Sequence, residues 1–168
     1  PMFWTETEIL GGSIEEAYEN SDLYQFIYPA YTYTYGRLGT GELPLWNARQ
    51  LCGTPLLADA RIGVFQPLNA VFWLMPAERA LALHAFVCLA MMGLFFALYA
   101  RALGVGYMPA AIGGIAYAFS GLSAAAMSRP ALASALTWAP FLLWAVREYA
   151  HRFDRASAVL AGVAGALL

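Results

Sequence analysis

Residues 81–100 read Leu81-Ala-Leu-His-Ala-Phe-Val-Cys-Leu-Ala-Met-Met-Gly-Leu-Phe-Phe-Ala-Leu-Tyr-Ala100. His84 is the one strongly polar side chain in this run, and nine positions are Leu, Val or Phe. Each of those nine contributes about −0.3 to −0.6 kcal/mol to insertion at the centre of a membrane helix, roughly −3 to −5 kcal/mol together, which offsets a His near one end. Twenty residues at about 1.5 Å rise span the ~30 Å hydrocarbon core of a bilayer. The stretch therefore predicts a membrane-crossing helix, closed by the turn Leu103-Gly-Val-Gly106.

Working outward, a second span is expected over residues 108–127, with Pro109 in its first turn, where proline costs little. Ala110, Gly114 and Ala118 recur there at intervals of four, as do Gly113, Tyr117 and Gly121. Small residues at that spacing let helices approach closely in lipid. A third span is expected over 130–146, with Pro140 as a kink, and a fourth over 156–168. That last run covers roughly 20 Å, short of the core thickness. Together with a start at Pro1, it leads to the expectation that the chain is an N-terminal fragment of a longer protein.

Charge follows the same division. Only 12% of the residues are charged, about half the usual supply of a soluble domain. Eleven of the twenty charges lie in residues 1–62, and only Arg101 and Arg129 lie between Ala80 and Val146. A net charge of −2 without a basic cluster argues against a nucleic-acid binder. Arg101 and the group Arg147, His151, Arg152 and Arg155 flank the expected spans on one side, which the positive-inside rule makes cytoplasmic. Residues 1–78 are then an extracytoplasmic first loop, and 79–168 the transmembrane region. Trp73, Trp138 and Trp144 suit anchoring at the membrane interface. Cys52 and Cys88 fall in a loop and in an apolar segment, which argues against a disulfide between them.

The loop carries its own pattern. From Asp22 a helical periodicity begins, with Ser21 or Asp22 as N-cap, and Tyr24, Tyr28, Tyr31 and Tyr35 form one stripe. Such a stripe fits either a helix lying in the membrane interface or one packed on neighbouring protein. Gly39-Thr-Gly-Glu-Leu-Pro44 ends it. Residues 63–76 (GVFQPLNAVFWLMP) are apolar, fourteen long and interrupted by Pro67, which suits an interfacial or re-entrant segment better than a span. The expected fold is all-α: a polytopic transmembrane helical bundle whose extracytoplasmic loop carries interfacial juxtamembrane helices.

Several strings in this order resemble the bacterial YfhO-like membrane protein family. They are Asp22-Leu-Tyr-Gln25 with Pro29, Gly41-Glu-Leu-Pro-Leu-Trp-Asn47, Cys52-Gly-Thr-Pro-Leu-Leu-Ala58 and Phe65-Gln-Pro-Leu68. His84, Tyr99-Ala-Arg101, Ala116-Tyr-Ala-Phe-Ser-Gly121 and Trp138-Ala-Pro140 continue the resemblance, which covers roughly residues 22–146. Gln66 stands where the family pattern leads one to expect Tyr. The family is similar to the GT-C group of polytopic glycosyltransferases. The resemblance implies a bacterial cytoplasmic (inner) membrane protein with many more helices, a polyprenyl-phosphate-linked sugar donor and an envelope glycan or polymer acceptor. It also implies an active site on the extracytoplasmic face, with an acidic residue in the first large loop.

Transfer from a polyprenyl phosphate needs a carboxylate that takes the acceptor's proton or holds a metal behind the leaving phosphate. Asp22 is the candidate catalytic residue, against the plainer reading of a helix cap. Gln25, one turn on, is a candidate to orient it or a sugar hydroxyl. Glu19 and Asp22 are the candidate ligands of a divalent cation, Glu19 otherwise being a solvated loop charge. Asp59 is a candidate second carboxylate, with an ion pair to Arg61 as the alternative. His84 and Arg129 are candidates for the donor phosphate, or for a helix contact and a headgroup anchor respectively. Trp46 and Asn47 offer a stacking ring and an amide for a sugar, or an interface anchor and a turn. The rival reading is a multi-pass transporter or a lipid-handling or scaffold subunit of an envelope-assembly complex. The scarcity of polar groups within the spans, Ser120, Ser123 and Thr137 being the modest candidates, favours surface chemistry over transport.

Overall fold

The computed structural model describes residues 22–47, 53–59 and 61–168. They are all-α in character, 75% helical, with a single two-residue antiparallel bridge among them. The chain divides into two units. One holds the described residues up to His84 together with Ser128–Ala131; the other holds Ala85–Met127 and Leu132–Leu168.

In the first unit a π-helical turn, Leu23–Ile27, leads into α1, Tyr28–Gly39. Pro29 sits in the first turn of α1, where its missing N–H has no intrahelical partner to lose. The helix stops because Gly41 adopts φ 79°, a conformation open to glycine, so that Gly41 N donates to Leu38 O and Glu42 N to Arg37 O. Arg37 then grips Glu42 through Nε and Nη2 at 2.9 and 2.6 Å. The chain continues into β1, Trp46–Asn47, paired with β2, Thr54–Pro55, in the register Trp46 to Pro55 and Asn47 to Thr54.

After β2 the turn at residues 61–66 is pinned from behind. The buried Asn69 amide donates to Ile62 O at 2.8 Å and Gly63 O at 2.9 Å. A 3-10 turn, Pro67–Ala70, runs into α2, Val71–Leu74, and Met75 is extended ahead of Pro76, as the residue before a proline prefers. The core is aromatic. Tyr31 lies 4.6 Å and Tyr35 5.1 Å, ring to ring, from Phe72, with Leu56, Ile62, Val64 and Ala80 around them. The tyrosine stripe is thereby divided: Tyr31 and Tyr35 are buried in protein, and Tyr24 is exposed. Burial drives the Tyr35 phenol pKa upward, and the neighbouring Asn69 side chain pulls weakly the other way.

Helix α3, Ala77–Ala102, is continuous for 26 residues. In the second unit it packs with α4, Tyr107–Ala118, and with α6, Pro130–Arg152; α5, Gly121–Ala126, and α7, Arg155–Leu167, complete the unit. Ala110, Gly114 and Ala118 are the buried residues of α4. A Cβ on Gly114 would stand 2.4 Å from Gly93 O, so the two backbones touch where only hydrogen atoms intervene. Phe96 stacks on Tyr117 at 5.2 Å, and Phe95, Trp138 and Phe141 form a second aromatic cluster. Trp138 therefore serves the packing and is buried, not placed as an anchor.

Pro140 lies inside α6. Proline has no N–H to donate to the carbonyl four residues back, which is that of Leu136. The Tyr117 hydroxyl takes the vacant role and donates to Leu136 O at 2.8 Å.

The expectation of a polytopic transmembrane bundle is corrected by these elements. Among the described residues one helix, Ala77–Ala102, is long and apolar enough to cross a membrane. Residues 108–127 form two helices, not one. Ser120 adopts an extended backbone and its Oγ accepts from Ser123 N at 3.3 Å, so a local cap restarts the chain after Phe119. Twelve residues of α4 reach about 18 Å, well short of the ~30 Å core. Helix α6 has the length, but Ser134 and Thr137 in its first half and Arg147, Glu148, His151 and Arg152 in its last turns dilute its apolar character. Helix α7 is apolar but only 13 residues long.

Candidate functional site

Asp22 stands immediately before the π-helical turn. Its backbone is already helical and its side chain makes no capping hydrogen bond. The carboxylate instead faces Arg129, with Oδ2 3.6 Å from Nη2. These residues lie far apart in the chain, and they meet because Ser128–Ala131 belongs to the first unit. Both side chains are open to solvent, 66% for Asp22 and 61% for Arg129. An exposed pair of this kind is worth about 0–1 kcal/mol, so either partner can exchange it for another ion at little cost.

A second pair stands beside the first. Arg61 donates to Asp59 Oδ1 from Nε at 3.0 Å and to Oδ2 from Nη2 at 2.9 Å, a two-pronged contact, while Arg61 N also donates to Oδ1 at 3.0 Å. The Arg61 side-chain hydrogen bond holds the Asp59 carboxyl below its ordinary range, against a smaller opposing effect of burial. The Arg61 guanidinium is pushed upward, first by its hydrogen bond to Asp59, then by the Asp59 charge, and in smaller part by the charge of Asp22. Between Phe26, Ile27, Ala30, Tyr31, Asp59, Arg61 and Ile62 lies a cleft of about 20 Å³, enough for one water. The Tyr31 hydroxyl donates to Arg61 O at 3.2 Å across its wall, which fixes the Asp59–Arg61 turn to α1.

The other expected site residues are distributed differently. Gln25 is exposed on the π-helical turn that follows Asp22. Trp46 and Asn47 are neighbours on β1 and so point to opposite faces. Trp46 is 54% exposed and lies over Gly53, whereas Asn47 is buried and offers no surface amide. His84 is 1% exposed, inside the protein with its ring 5.6 Å from Phe72. Glu19 lies outside the described residues, as does Cys52. Among the described residues no group of three or more His, Cys, Asp or Glu side chains is gathered to hold a metal ion. The hydroxyls of Ser120, Ser123 and Thr137 are engaged locally: Ser120 with Ser123, Ser123 with Tyr117 O, and Thr137 with Ala133 O.

Arg61 is marked by spacing only as the turn partner of Asp59. Its signal was local, an Asp two residues before an Arg, which commonly closes a turn. Nothing local signalled that this turn would stand beside Asp22. The first unit thus carries two ion pairs, Asp22–Arg129 and Asp59–Arg61, of which the second lines a water-sized cleft, and Asp22 makes no capping hydrogen bond. Comparison of the chain with models of known protein families, with curated proteins and with solved structures gives no match.

Proposed function

We propose that this protein works at a membrane surface as a glycosyltransferase drawing on a polyprenyl-phosphate-linked sugar, with an envelope glycan or polymer as acceptor. The observation that supports it best is the meeting of Asp22 with Arg129 beside the Asp59–Arg61 pair. Arg129, released from its weak exposed pair, binds the donor phosphate through charge-assisted hydrogen bonds. Asp22, relieved of that cation, takes the proton of the attacking acceptor hydroxyl as the bond to the leaving phosphate breaks. Arg61 adds positive potential from the neighbouring pair, and Tyr24 and Trp46 present exposed rings for sugar faces.

A membrane setting is supported by how α3 is covered. Only 22% of its most apolar stretch is buried by the rest of the chain. A helix of that composition in a water-soluble core would be mostly enclosed. Leu83, Phe86, Leu94 and Leu98 instead face outward.

The test is sugar transfer from a polyprenyl-phosphate donor to envelope material by the protein carrying Asp22→Asn, at matched expression. Loss of a general base lowers the rate by about 10²–10⁴-fold. Arg129→Gln is expected to weaken donor binding, raising KM, while Arg129→Lys retains part of it. Undiminished transfer by Asp22→Asn removes Asp22 from the chemistry. A second reading, a lipid-handling or scaffold subunit without catalysis, draws on the open, ion-paired character of the site. It is favoured if transfer is absent from the unmodified protein as well.

A further inference from the structure

Helices α3 and α4 bound a groove of about 420 Å³ in the second unit, within the ~300–1,000 Å³ of small-molecule sites. Its floor is made of Ala90, Gly93 and Ala97, and its walls include Phe86, Ile115 and Phe119. Every side chain lining it is apolar. The floor is low because Gly93 and Gly114 bring the helices into backbone contact beneath it.

One end of the groove is different. Phe86, Ala90, Gly93, Ala97 and Arg101 follow one another at helical spacing, so Arg101 stands on the same stripe of α3 one turn beyond the floor. Tyr107 stands likewise on α4, one turn before Ala111, which also lines the groove. The two meet: the Arg101 guanidinium lies 3.4 Å from the centre of the Tyr107 ring, and its Nη1 donates to Val105 O at 2.9 Å. A guanidinium carries five N–H donors in a planar fork, so the rest of it can still bind an oxyanion. The groove is thus a dry channel with a cation held at its mouth.

Its length is informative. From Phe86 to Ala97 along α3 is roughly 16 Å at 1.5 Å per residue, which matches half of the ~30 Å hydrocarbon core, the depth of one leaflet. We infer that the groove holds an acyl chain of an anionic membrane phospholipid, whose phosphate meets Arg101 while the chain lies over Ala97, Gly93 and Ala90. The charge at the mouth selects the headgroup, and the apolar walls take the chain without discriminating among chains. This site is separate from the Asp22 group, and its occupancy does not depend on any transfer reaction.

Electron spin resonance with the protein in phosphatidylcholine bilayers tests this, using spin-labelled phosphatidylglycerol or spin-labelled phosphatidylcholine as the probe. The motionally restricted component is expected to favour phosphatidylglycerol by about fivefold, the effect of one well-placed basic residue. Arg101→Gln should abolish the preference and Arg101→Lys should retain it, with helix content checked by circular dichroism. Ala90→Phe and Ala111→Phe fill the groove from exposed positions and should diminish the restricted component for both lipids. Equal retention of the two lipids by the unmodified protein overturns the inference, as does an unchanged restricted component in the filled variants. Failure of the chain to enter the bilayer overturns it too. Disulfide-linked dimers formed through Ala90→Cys in the same bilayers would assign the groove to a second copy instead.

Discussion

Trp46 lies where a side chain on residue 53 would be. A Cβ there would stand 2.5 Å from the indole, and the backbone has φ 115°, a conformation that L side chains rarely adopt. Gly53→Ala is therefore expected to destabilise the protein by about 1–3 kcal/mol, read as a lower thermal midpoint. Unchanged stability would mean that Trp46 moves aside freely. The two motifs of the loop are joined at this contact, with Pro44 and Leu56 buried nearby in sequence, so much of their specificity is architectural. Asp59 allows a test by pH. Its folded pKa is depressed below the ordinary 3.8 by Arg61, so the stabilisation is fully present above about pH 4 and is lost as the pH falls through the depressed value. Asp59→Asn should flatten the acid side of the stability profile and leave its slope near pH 7 unaltered. The Asp59–Arg61 pair was legible because two residues apart is within reach in any turn. The Asp22–Arg129 pair follows from no local spacing, since no periodicity links positions so far apart.

Among the elements, α6 shows how a helix accommodates an internal proline. Pro140 deprives Leu136 O of its partner, and Tyr117 Oη supplies the missing donor from α4. Tyr117→Phe should cost about 1–3 kcal/mol, because it leaves a carbonyl without its partner among apolar side chains. In a Pro140→Ala background the same substitution should cost less, since residue 140 can then donate to Leu136 O. Equal costs in the two backgrounds, measured by unfolding in denaturing detergent, would separate the two residues. The apolar run over 108–127 looked like one span because hydropathy sums side chains without regard to backbone competition. Ser120 carries the hydroxyl that interrupts it, and a serine next to a glycine is an ordinary cap signal concealed within an apolar average. The helix from Asp22 to Gly39 was easier to read, since its end is written in Gly41, whose φ of 79° favours glycine.

For the molecule as a whole, the outward faces matter most. Met108, Ile112 and Ile115 on α4, with Phe119 just past its end, are exposed along one stripe, as Leu83, Phe86, Leu94 and Leu98 are on α3. An apolar surface of this extent calls for lipid or a partner to cover it. If α3 lies in a bilayer, Leu94→Arg should cost about 3–4 kcal/mol of insertion, comparable to the whole favourable sum of its apolar residues. The fraction of protein that resists alkaline extraction from membranes should then fall sharply, while Leu94→Phe leaves it unchanged. Extraction of both variants alike would place α3 outside the bilayer. The sequence by itself determined the helical class, a long apolar helix over 81–100, the close approach of small residues on α4 and the polar character of residues 1–62. These are properties of composition and period, which act within a few turns of helix. That among the described residues the long helix alone, observed as Ala77–Ala102, is long and apolar enough to cross a membrane was decided by the structure. Tertiary structure alone decided that His84 and Asn47 are buried, that the tyrosine stripe divides between core and surface, and that Arg129 reaches Asp22. Those outcomes depend on which distant surfaces exclude water from one another, and that is set by packing between elements rather than by any pattern along one of them.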